Sequence, residues 1–300
     1  MFEILPKRFA TALASLDKDK LNEIRLRVGL PTSINYDGWS YLGESGISNS
    51  ENSLIPLYEE LQDIVFKACE CSVYAHNEEL INGFITYKGG RIGLSGDVVT
   101  EGEKIVTIKN FSSLVIRFIH AKVGCSLPAL KYLLDNGLLN TLVISPPGCG
   151  KTTFIRDLTL QLSQIGIEPN ILVVDERGEI AAVESGKATL FVGANVDVLS
   201  KASKYWGLSC GVRSLAPSVV VFDEIMTEND CKAILSATGC GVKLIATTHS
   251  KDIKSLQTKA FYPILKGVFQ RIVVLSNRNG IGTIEGVFSL DGKSICGGES

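Results

Sequence analysis

The sequence predicts an α/β protein of two domains: a smaller mixed α+β domain over residues 1–135, then a domain with a mainly parallel sheet over 136–300. Three observations lead to this prediction. The chain has 300 residues, more than one domain usually contains. Its composition, 45% hydrophobic and 21% charged, is that of an ordinary globular protein. From Asn140 onward, apolar strands alternate with helical patterns, as in parallel βαβ units.

The first half of the chain combines short strands with a helix. EIRLRV and TSINY predict two strands separated by a turn, and the polar residues 44–53 predict a loop. Helical spacing of apolar residues then predicts a helix at about 54–69, capped by Ser53. FITYKGGRIGLSG predicts a hairpin, and EKIVTI and SSLVIRFI predict two further strands. Pro128, the short helix ALKYLL and the turn DNG place the domain boundary at about 125–138.

The second half contains the alternating pattern. TLVIS, NILVVDE, VVVFDE and KLIATTH are the predicted strands, and TFIRDLTLQLSQIG is the predicted helix after the first of them. Further helices are predicted at about 200–214 and 227–238. QRIVVLSN and IGTIEGVFSL, separated by RNG, predict a terminal antiparallel hairpin.

Charge and composition exclude several function classes. The formal net charge of -2, from 30 basic and 32 acidic residues, gives no reason to expect constitutive nucleic-acid binding. The N-terminus lacks a secretory signal and no apolar run is long enough to span a bilayer, so we expect a soluble cytoplasmic chain. The eight cysteines predict reduced thiols. Cys69 and Cys71 form a CxC pair, for which buried packing is the default and a zinc site with His76 the alternative.

A glycine loop carries the strongest chemical signal. SPPGCGKT follows a strand and precedes a helix, the context of the phosphate-binding consensus GxxxxGK[ST], with Ser145 in place of the first glycine. Backbone N–H groups of residues 148–152 are expected to bind phosphates at the helix N-terminus. Lys151 would reach the β- and γ-phosphates and Thr152 would bind Mg²⁺. The predicted nucleotide-binding set is Ser145, Pro146, Pro147, Gly148, Cys149, Gly150, Lys151, Thr152 and Thr153. This motif makes the second domain a predicted RecA-like P-loop NTPase domain.

Carboxylates end two of the predicted strands. In VVVFDE, Asp223 is expected to bind Mg²⁺ and Glu224 to polarise the attacking water. In LVVDERGE, Asp175 is a candidate second metal ligand and Glu176 a candidate catalytic group, because parallel strands deliver their C-terminal ends to the ligand. A structural cluster with Arg177 is the alternative for this second pair.

Histidine and arginine side chains complete the predicted site. KLIATTHS places His249 after Thr247 and Thr248, where it could sense the γ-phosphate, although a structural role stays open. Arginine stabilises charge on a transferring phosphoryl group. The candidates, each with surface solvation or ion pairing as the alternative, are Arg91, Arg117 and Arg213. No NKxD motif for guanine is present, so ATP with Mg²⁺ is the expected ligand.

These motifs resemble a known family. EIRLRVGLP, SPPGCGKTTFIRDL, VVDERGEIAA, VVVFDEI and LIATTH are similar to the stage III sporulation protein AA ATPases of endospore-forming bacteria, which are similar to type II and type IV secretion ATPases. The resemblance covers most of the chain. It implies that Asp175 and Glu176 form an acidic box, that residues 247–249 form a histidine box, and that Arg91 and Arg117 face the nucleotide.

The same resemblance implies a cellular setting. It implies a homo-oligomer, a hexameric ring, that acts in the mother-cell cytoplasm and associates with the membrane through proteins of a stage III sporulation channel complex. Two residues depart from the family pattern: Asn195 stands at an arginine position, and Met226 follows DEI where glycine is usual. The leading hypothesis is an ATPase that powers or regulates this channel. A nucleotide-dependent interaction module with negligible hydrolysis and a small-molecule kinase are the alternatives.

Overall fold

The structure, a computed structural model, describes residues 2–70, 72, 76–88, 90–118, 122–166, 168–184 and 186–297. Cys71 of the CxC pair and Gly89 of the predicted hairpin lie outside the described residues. The chain divides into two compact units, residues 1–120 and residues 121–300. Within the described ranges, none of the helices has the length and apolar character needed to cross a bilayer.

The first unit is a seven-stranded antiparallel sheet with helices. Its sheet order is β4-β3-β2-β1-β7-β6-β5. The strands are β1 Leu21–Arg27, β2 Ser33–Tyr36, β3 Trp39–Gly43, β4 Gly46–Ser48, β5 Phe84–Tyr87, β6 Gly90–Glu101 and β7 Lys104–Arg117. The helices are α1 Lys7–Ala14, α2 Tyr58–Ala68 and α3 Asn77–Ile81, with 3-10 turns at Phe2–Ile4 and Lys18–Lys20. Leu61, Ile64 and Val65 of α2 are buried and belong to the core of this unit, as helical spacing requires.

Three local predictions for this unit were wrong in detail. The two predicted strands EKIVTI and SSLVIRFI contribute to one continuous strand, β7, because β7 pairs with β6 and the pairing absorbs two register shifts. Ile119, the last residue of the second prediction, lies outside the described residues. The predicted loop 44–53 contains the short strand β4. Helix α2 begins at Tyr58, where Glu60 accepts a hydrogen bond of 2.8 Å from the Leu57 N–H. Ser53 is therefore not its cap, and its hydroxyl lies 3.2 Å from the carbonyl of Leu42.

The second unit contains an eight-stranded sheet in the order β12-β9-β13-β14-β8-β15-β16-β17. Its strands are β8 Thr141–Ser145, β9 Ile171–Asp175, β12 Val196–Ser200, β13 Val219–Phe222, β14 Lys243–His249, β15 Arg271–Ser276, β16 Thr283–Phe288 and β17 Ser294–Gly297, with a separate ribbon of β10 Val183–Glu184 and β11 Lys187–Ala188. Its helices are α4 Leu127–Leu130, α5 Lys151–Ile165, α6 Lys204–Trp206, α7 Val212–Leu215, α8 Glu228–Thr238, α9 Ile253–Gln257 and α10 Tyr262–Val268, with a π-helical turn at Gly207–Gly211.

The sheet is parallel from β12 to β15, and β16 and β17 add antiparallel pairs. Every residue of β8, β9 and β13 is buried, as expected for strands covered on both faces. This explains why the apolar runs that form these three strands are readily predicted from the sequence. Because the strands are parallel, Ser145, Asp175 and His249 all lie at the same edge of the sheet, where a ligand would bind.

Two predictions for this unit need correction. VDVLS, at 196–200, forms the strand β12, so the helix predicted at 200–214 starts only at Lys204. The predicted boundary at 135/136 lies inside the second unit, since the units divide at 120/121. The physical reason is Asp157 of α5, which accepts hydrogen bonds of 2.7 Å from the N–H groups of Gly124 and Ser126.

Asp157 also makes the fold sensitive to acid. Burial raises the pKa of its carboxyl, but hydrogen bonds from Ser126 and Gly124 outweigh this, and the pKa lies below its ordinary value. A folded-state pKa below the unfolded one stabilises the fold above about pH 4, and this contribution is lost as pH falls through the folded-state value.

We therefore expect Asp157→Asn to lower the free energy of unfolding at pH 7 by about 1–3 kcal/mol, because the buried N–H donors lose their charged acceptor. The variant should also lose less stability than wild type as the solution is acidified below about pH 4. Urea unfolding at several pH values measures both effects, with exposed Asp63→Asn as the control. Equal pH dependence in wild type and Asp157→Asn would contradict the prediction.

Candidate active site

The phosphate loop lies between β8 and α5. Gly148 has a φ of 73° and Gly150 a φ of 84°, a conformation that glycine adopts without strain. A Cβ at Gly150 would also lie 3.3 Å from Cγ2 of Ile281. Gly150 is the N-cap residue of α5, so the first amides of the helix are available to an anion. The backbone of the loop is therefore shaped as the motif predicts.

Lys151 is held inside this loop. Only 7% of its surface is exposed, and its Nζ lies 3.3 Å from the carbonyl oxygen of Ser145 and 3.2 Å from that of Pro146. Nζ is also 2.8 Å from Nδ1 of His249. Burial lowers the pKa of the Lys151 amine, and Asp223 and Glu224 act in the opposite direction. The amine thus contacts neutral oxygens and an imidazole, and a phosphate could take the place of these partners.

Asp223 joins the loop to the next strands. The hydroxyl of Thr152 donates a hydrogen bond of 2.6 Å to Oδ2 of Asp223, and the hydroxyl of Thr247 donates to Oδ1. The hydroxyl and the carboxylate are oxygen donors of the kind that Mg²⁺ prefers, and Mg²⁺ is usually bound by one or two carboxylates together with phosphates and water. The residues present therefore fit a magnesium ion.

Glu224 lies beside the same network with an unusual backbone. Its φ is 55°, a costly conformation for a residue with a side chain. Its N–H donates to Oγ1 of Thr247 at 2.9 Å. Its Oε1 lies 2.9 Å from Nε2 of His249, and its Oε2 lies 2.6 Å from Nη1 of Arg177. His249 accordingly connects Lys151 to Glu224, accepting at Nδ1 and donating from Nε2.

Asp175 is used differently from the prediction. Its Oδ1 accepts the N–H groups of Glu179 and Ile180 at 2.9 and 3.1 Å, and its Oδ2 accepts those of Ala181 and Ala182 at 2.9 and 3.2 Å. Only 2% of Asp175 is exposed. Since both oxygens are engaged by backbone amides, the structure gives Asp175 a loop-anchoring position instead of a metal-binding one.

Replacing Asp175 by asparagine should therefore destabilise the fold. An amide group can accept on one side only, so at least one buried N–H pair loses its acceptor, which costs about 2–4 kcal/mol in the free energy of unfolding. Urea denaturation measures this cost. Asp291→Asn is the control, because Asp291 is exposed and pairs with Lys266 on the surface. A cost in Asp175→Asn no larger than that of the control would contradict this structural role.

Glu176 also differs from its predicted role. Its carboxylate pairs with the amine of Lys204, whose side chain is only 7% exposed. This contact joins the loop after β9 to α6, so the alternative of a structural salt-bridging cluster describes Glu176 better than a catalytic position does.

The three candidate arginines occupy separate surroundings. Arg91 lies over the ring of Phe84, with 4.3 Å between its guanidinium carbon and the ring centroid. The Nε of Arg117 lies 3.3 Å from Glu23. Both belong to the first unit. Arg213 is exposed on α7 of the second unit. The alternative of ion pairing agrees with the contact between Arg117 and Glu23, whereas the Arg91 contact with Phe84 is a cation–π contact that the sequence did not predict.

The two departures from the family pattern have contacts of their own. The side-chain amide of Asn195 donates to the carbonyls of Glu168 and Pro169 at 2.8 and 3.0 Å, and its oxygen accepts from the hydroxyl of Ser163. Asn195 thus ties the end of α5 to the start of β12. Met226 is 50% exposed, and its Sδ lies 4.0 Å from Nη2 of Arg177.

Arg177 is a residue of the site that was not predicted from the sequence as a functional residue. It was considered only as part of a structural cluster with Asp175 and Glu176. Its contact with Glu224 joins two strand ends that are distant in sequence, and the local pattern DERGE contains no signal for that pairing. In the sheet, β9 and β13 are adjacent and parallel. The residues that follow them, Arg177 and Glu224, are therefore brought close together.

The parallel sheet, the phosphate loop and the acidic ends of its strands define the second unit as an α/β NTPase fold. A family model described as "Sporulation stage III, protein AA" matches residues 2–295, and the chain belongs to this family. It is 34% identical over 308 residues to the stage III sporulation protein AA of Bacillus subtilis (strain 168), covering 98% of this chain and 95% of the relative.

Solved structures show the same fold at low sequence identity. The Legionella pneumophila ATPase DotB is 13% identical with a TM-score of 0.56, over 90% of this chain and 77% of DotB. The pilus retraction motor PilT, solved with bound ADP, is 17% identical with a TM-score of 0.52, over 86% of this chain and 74% of PilT. These similarities concern the fold alone.

Proposed function

We propose that this protein is an ATPase that hydrolyses ATP to ADP and phosphate, with a RecA-like P-loop domain formed by its second unit. The observation that carries the proposal is the connected set Lys151, His249 and Glu224 beside the Thr152–Asp223 hydrogen bond. A phosphate-binding cation, a magnesium-binding pair and a carboxylate that can accept a proton lie together at the carboxyl edge of one parallel sheet.

Each residue has a definite task in this proposal. The amides of the loop and Lys151 bind the phosphates, and Thr152 and Asp223 hold Mg²⁺, which neutralises phosphate charge when bound. Glu224 orients a water and accepts its proton as the water oxygen attacks the γ-phosphorus. The bond to the β-phosphate oxygen then breaks, leaving ADP and phosphate. His249 reports γ-phosphate occupancy because it contacts both Lys151 and Glu224.

Family membership is the basis for a proposal about the cellular role. We propose that ATP hydrolysis powers or regulates a membrane-associated export or feeding channel during sporulation. The protein would act as a hexameric ring in the mother-cell cytoplasm and contact membrane proteins of the channel complex. In such a ring Arg91, Arg117 or Arg213 could stabilise charge on the phosphates of a neighbouring subunit. Family membership and the shared fold support this role.

One observation favours a second function. Both carboxylate oxygens of Glu224 already have a partner, Arg177 on one and His249 on the other, so a water would have to share an oxygen with one of them. A protein that stayed in this arrangement would bind ATP to change its affinity for a partner and would hydrolyse it negligibly.

Phosphate release under single-turnover conditions, with ATP and Mg²⁺ at protein concentrations that allow assembly, separates the two functions. The ATPase proposal expects stoichiometric release of phosphate that requires Mg²⁺. Intact ATP bound at full occupancy would instead establish the interaction module. Thin-layer analysis of the products tests the kinase alternative, which requires a phosphorylated acceptor in place of free phosphate.

A further inference from the structure

Arg177 forms an ion pair with Glu224, the residue to which we assign water activation. Its Nη1 lies 2.6 Å from Oε2 of Glu224. The side chain of Glu224 is 9% exposed, whereas that of Arg177 is 49% exposed. Pairs between two exposed side chains contribute little to stability. This pair is of a different kind, because the carboxylate of Glu224 is almost buried.

The loop that carries Arg177 is fixed on both sides. Asp175, just before it, binds four backbone N–H groups of residues 179–182. Arg156 of α5, 4% exposed, donates from Nε to the carbonyl of Ile180 at 2.6 Å and from Nη2 to that of Glu179. The loop is thereby tied to the helix that begins at the phosphate loop, and Arg177 extends from a rigid base.

The other oxygen of Glu224 has a different kind of partner. Oε1 contacts Nε2 of His249, whose Nδ1 contacts Lys151. A phosphate bound to Lys151 would compete with Nδ1 of His249 for the Lys151 amine. The contact between His249 and Glu224 therefore depends on the nucleotide. The contact with Arg177 does not include a phosphate-binding group.

We propose that Arg177 is a positioning residue for Glu224. It holds Oε2 in place at all times, while His249 covers Oε1 until phosphate engages Lys151 and leaves that oxygen open to the attacking water. Arginine suits this task because its rigid guanidinium has two terminal nitrogens, of which Nη1 contacts Glu224 and Nη2 lies 4.0 Å from Sδ of Met226. The hydrolytic part of this inference rests on the function proposed above, and the geometric part does not.

The first test is kinetic. Arg177→Gln should lower kcat by about ten- to one-hundredfold, because a misplacement of about 1 Å can cost up to about one-hundredfold in rate. KM and the affinity for ATP should stay within about twofold, since binding groups are untouched. Arg177→Lys should recover part of kcat. Arg8→Gln is the matched control, because Arg8 makes a 2.5 Å pair with Glu60 in the first unit. A kcat of Arg177→Gln equal to that of wild type would overturn the proposal.

The second test does not need hydrolysis. The chain has three histidines, so selective ¹⁵N-histidine labelling gives few signals, and His249→Gln identifies the one of interest. Arg177→Gln should shift the His249 Nε2 signal in the nucleotide-free protein, because Glu224 moves away from it. Arg8→Gln should not. In a Glu224→Gln background, Arg177→Gln should add no comparable shift, since Arg177 acts through that carboxylate.

The two tests separate the inference from the proposed function. Absence of phosphate release in wild type, together with an Arg177-dependent His249 signal, would refute the ATPase and support the positioning role. A His249 signal that is unchanged in Arg177→Gln would refute the positioning role whatever the rate of hydrolysis.

Discussion

Replacing Lys151 by alanine is expected to lower the affinity for ATP by at least about one-hundredfold. A hydrogen bond to a charged group contributes about 1.5–3 kcal/mol, and one-hundredfold in affinity corresponds to about 2.7 kcal/mol. Lys151 is suited to this effect because it is buried and already surrounded by the loop, so it loses little side-chain freedom when phosphate arrives. Titration calorimetry with ATP and Mg²⁺ measures the change.

Two further measurements make this result specific. Lys266→Ala removes an exposed lysine of α10 that pairs with Asp291, and it should bind ATP as wild type does. Thermal unfolding of Lys151→Ala in the absence of nucleotide should show a single transition near that of wild type. Burial disfavours the charged amine, and this cost offsets the stabilisation from the contacts that the amine makes. ATP affinity retained by Lys151→Ala would contradict the assignment of the loop to phosphate binding.

The parts of the fold that the sequence predicts best are those in which one physical signal dominates. Strands β8, β9 and β13 are buried on both faces, so their sequences are uninterrupted apolar runs. Strand β12 lies at the edge of the sheet and has no fully buried residue. Its sequence VDVLS therefore lacks that signal, so no strand was predicted there, and the predicted helix at about 200–214 overlaps its last residue, Ser200. The difference between these strands and β12 is whether neighbouring elements bury both faces of the strand.

The candidate site divides in a similar way. Lys151 and Thr152 are predictable because the phosphate loop is a local motif. Asp175 and Asp223 both stand at the ends of apolar strands, and this pattern made both of them candidate metal ligands. The structure separates them by their partners: backbone amides of the following loop bind Asp175, whereas hydroxyls from α5 and β14 bind Asp223. Which role a strand-end carboxylate takes depends on the path of the chain after it.

Replacing Glu224 by glutamine is expected to lower kcat by about one-hundred- to ten-thousandfold, the contribution of a general base. Glutamine has nearly the same shape, and its carbonyl can still accept a hydrogen bond from Arg177 or His249. It cannot take a proton from water. The affinity for ATP should therefore be close to that of wild type, because Lys151, Thr152 and Asp223 are unchanged.

The contrast with Lys151→Ala makes this result informative. One variant should lose binding and the other should bind without turnover, so together they separate the two halves of the proposed site. Phosphate release at saturating ATP measures turnover, and calorimetry confirms binding. Glu60→Gln is the matched control, since Glu60 also pairs with an arginine but lies in the first unit. Equal turnover in wild type and Glu224→Gln would refute the water-activating role of Glu224, and with it the reason for Arg177 and His249 to converge on this carboxylate.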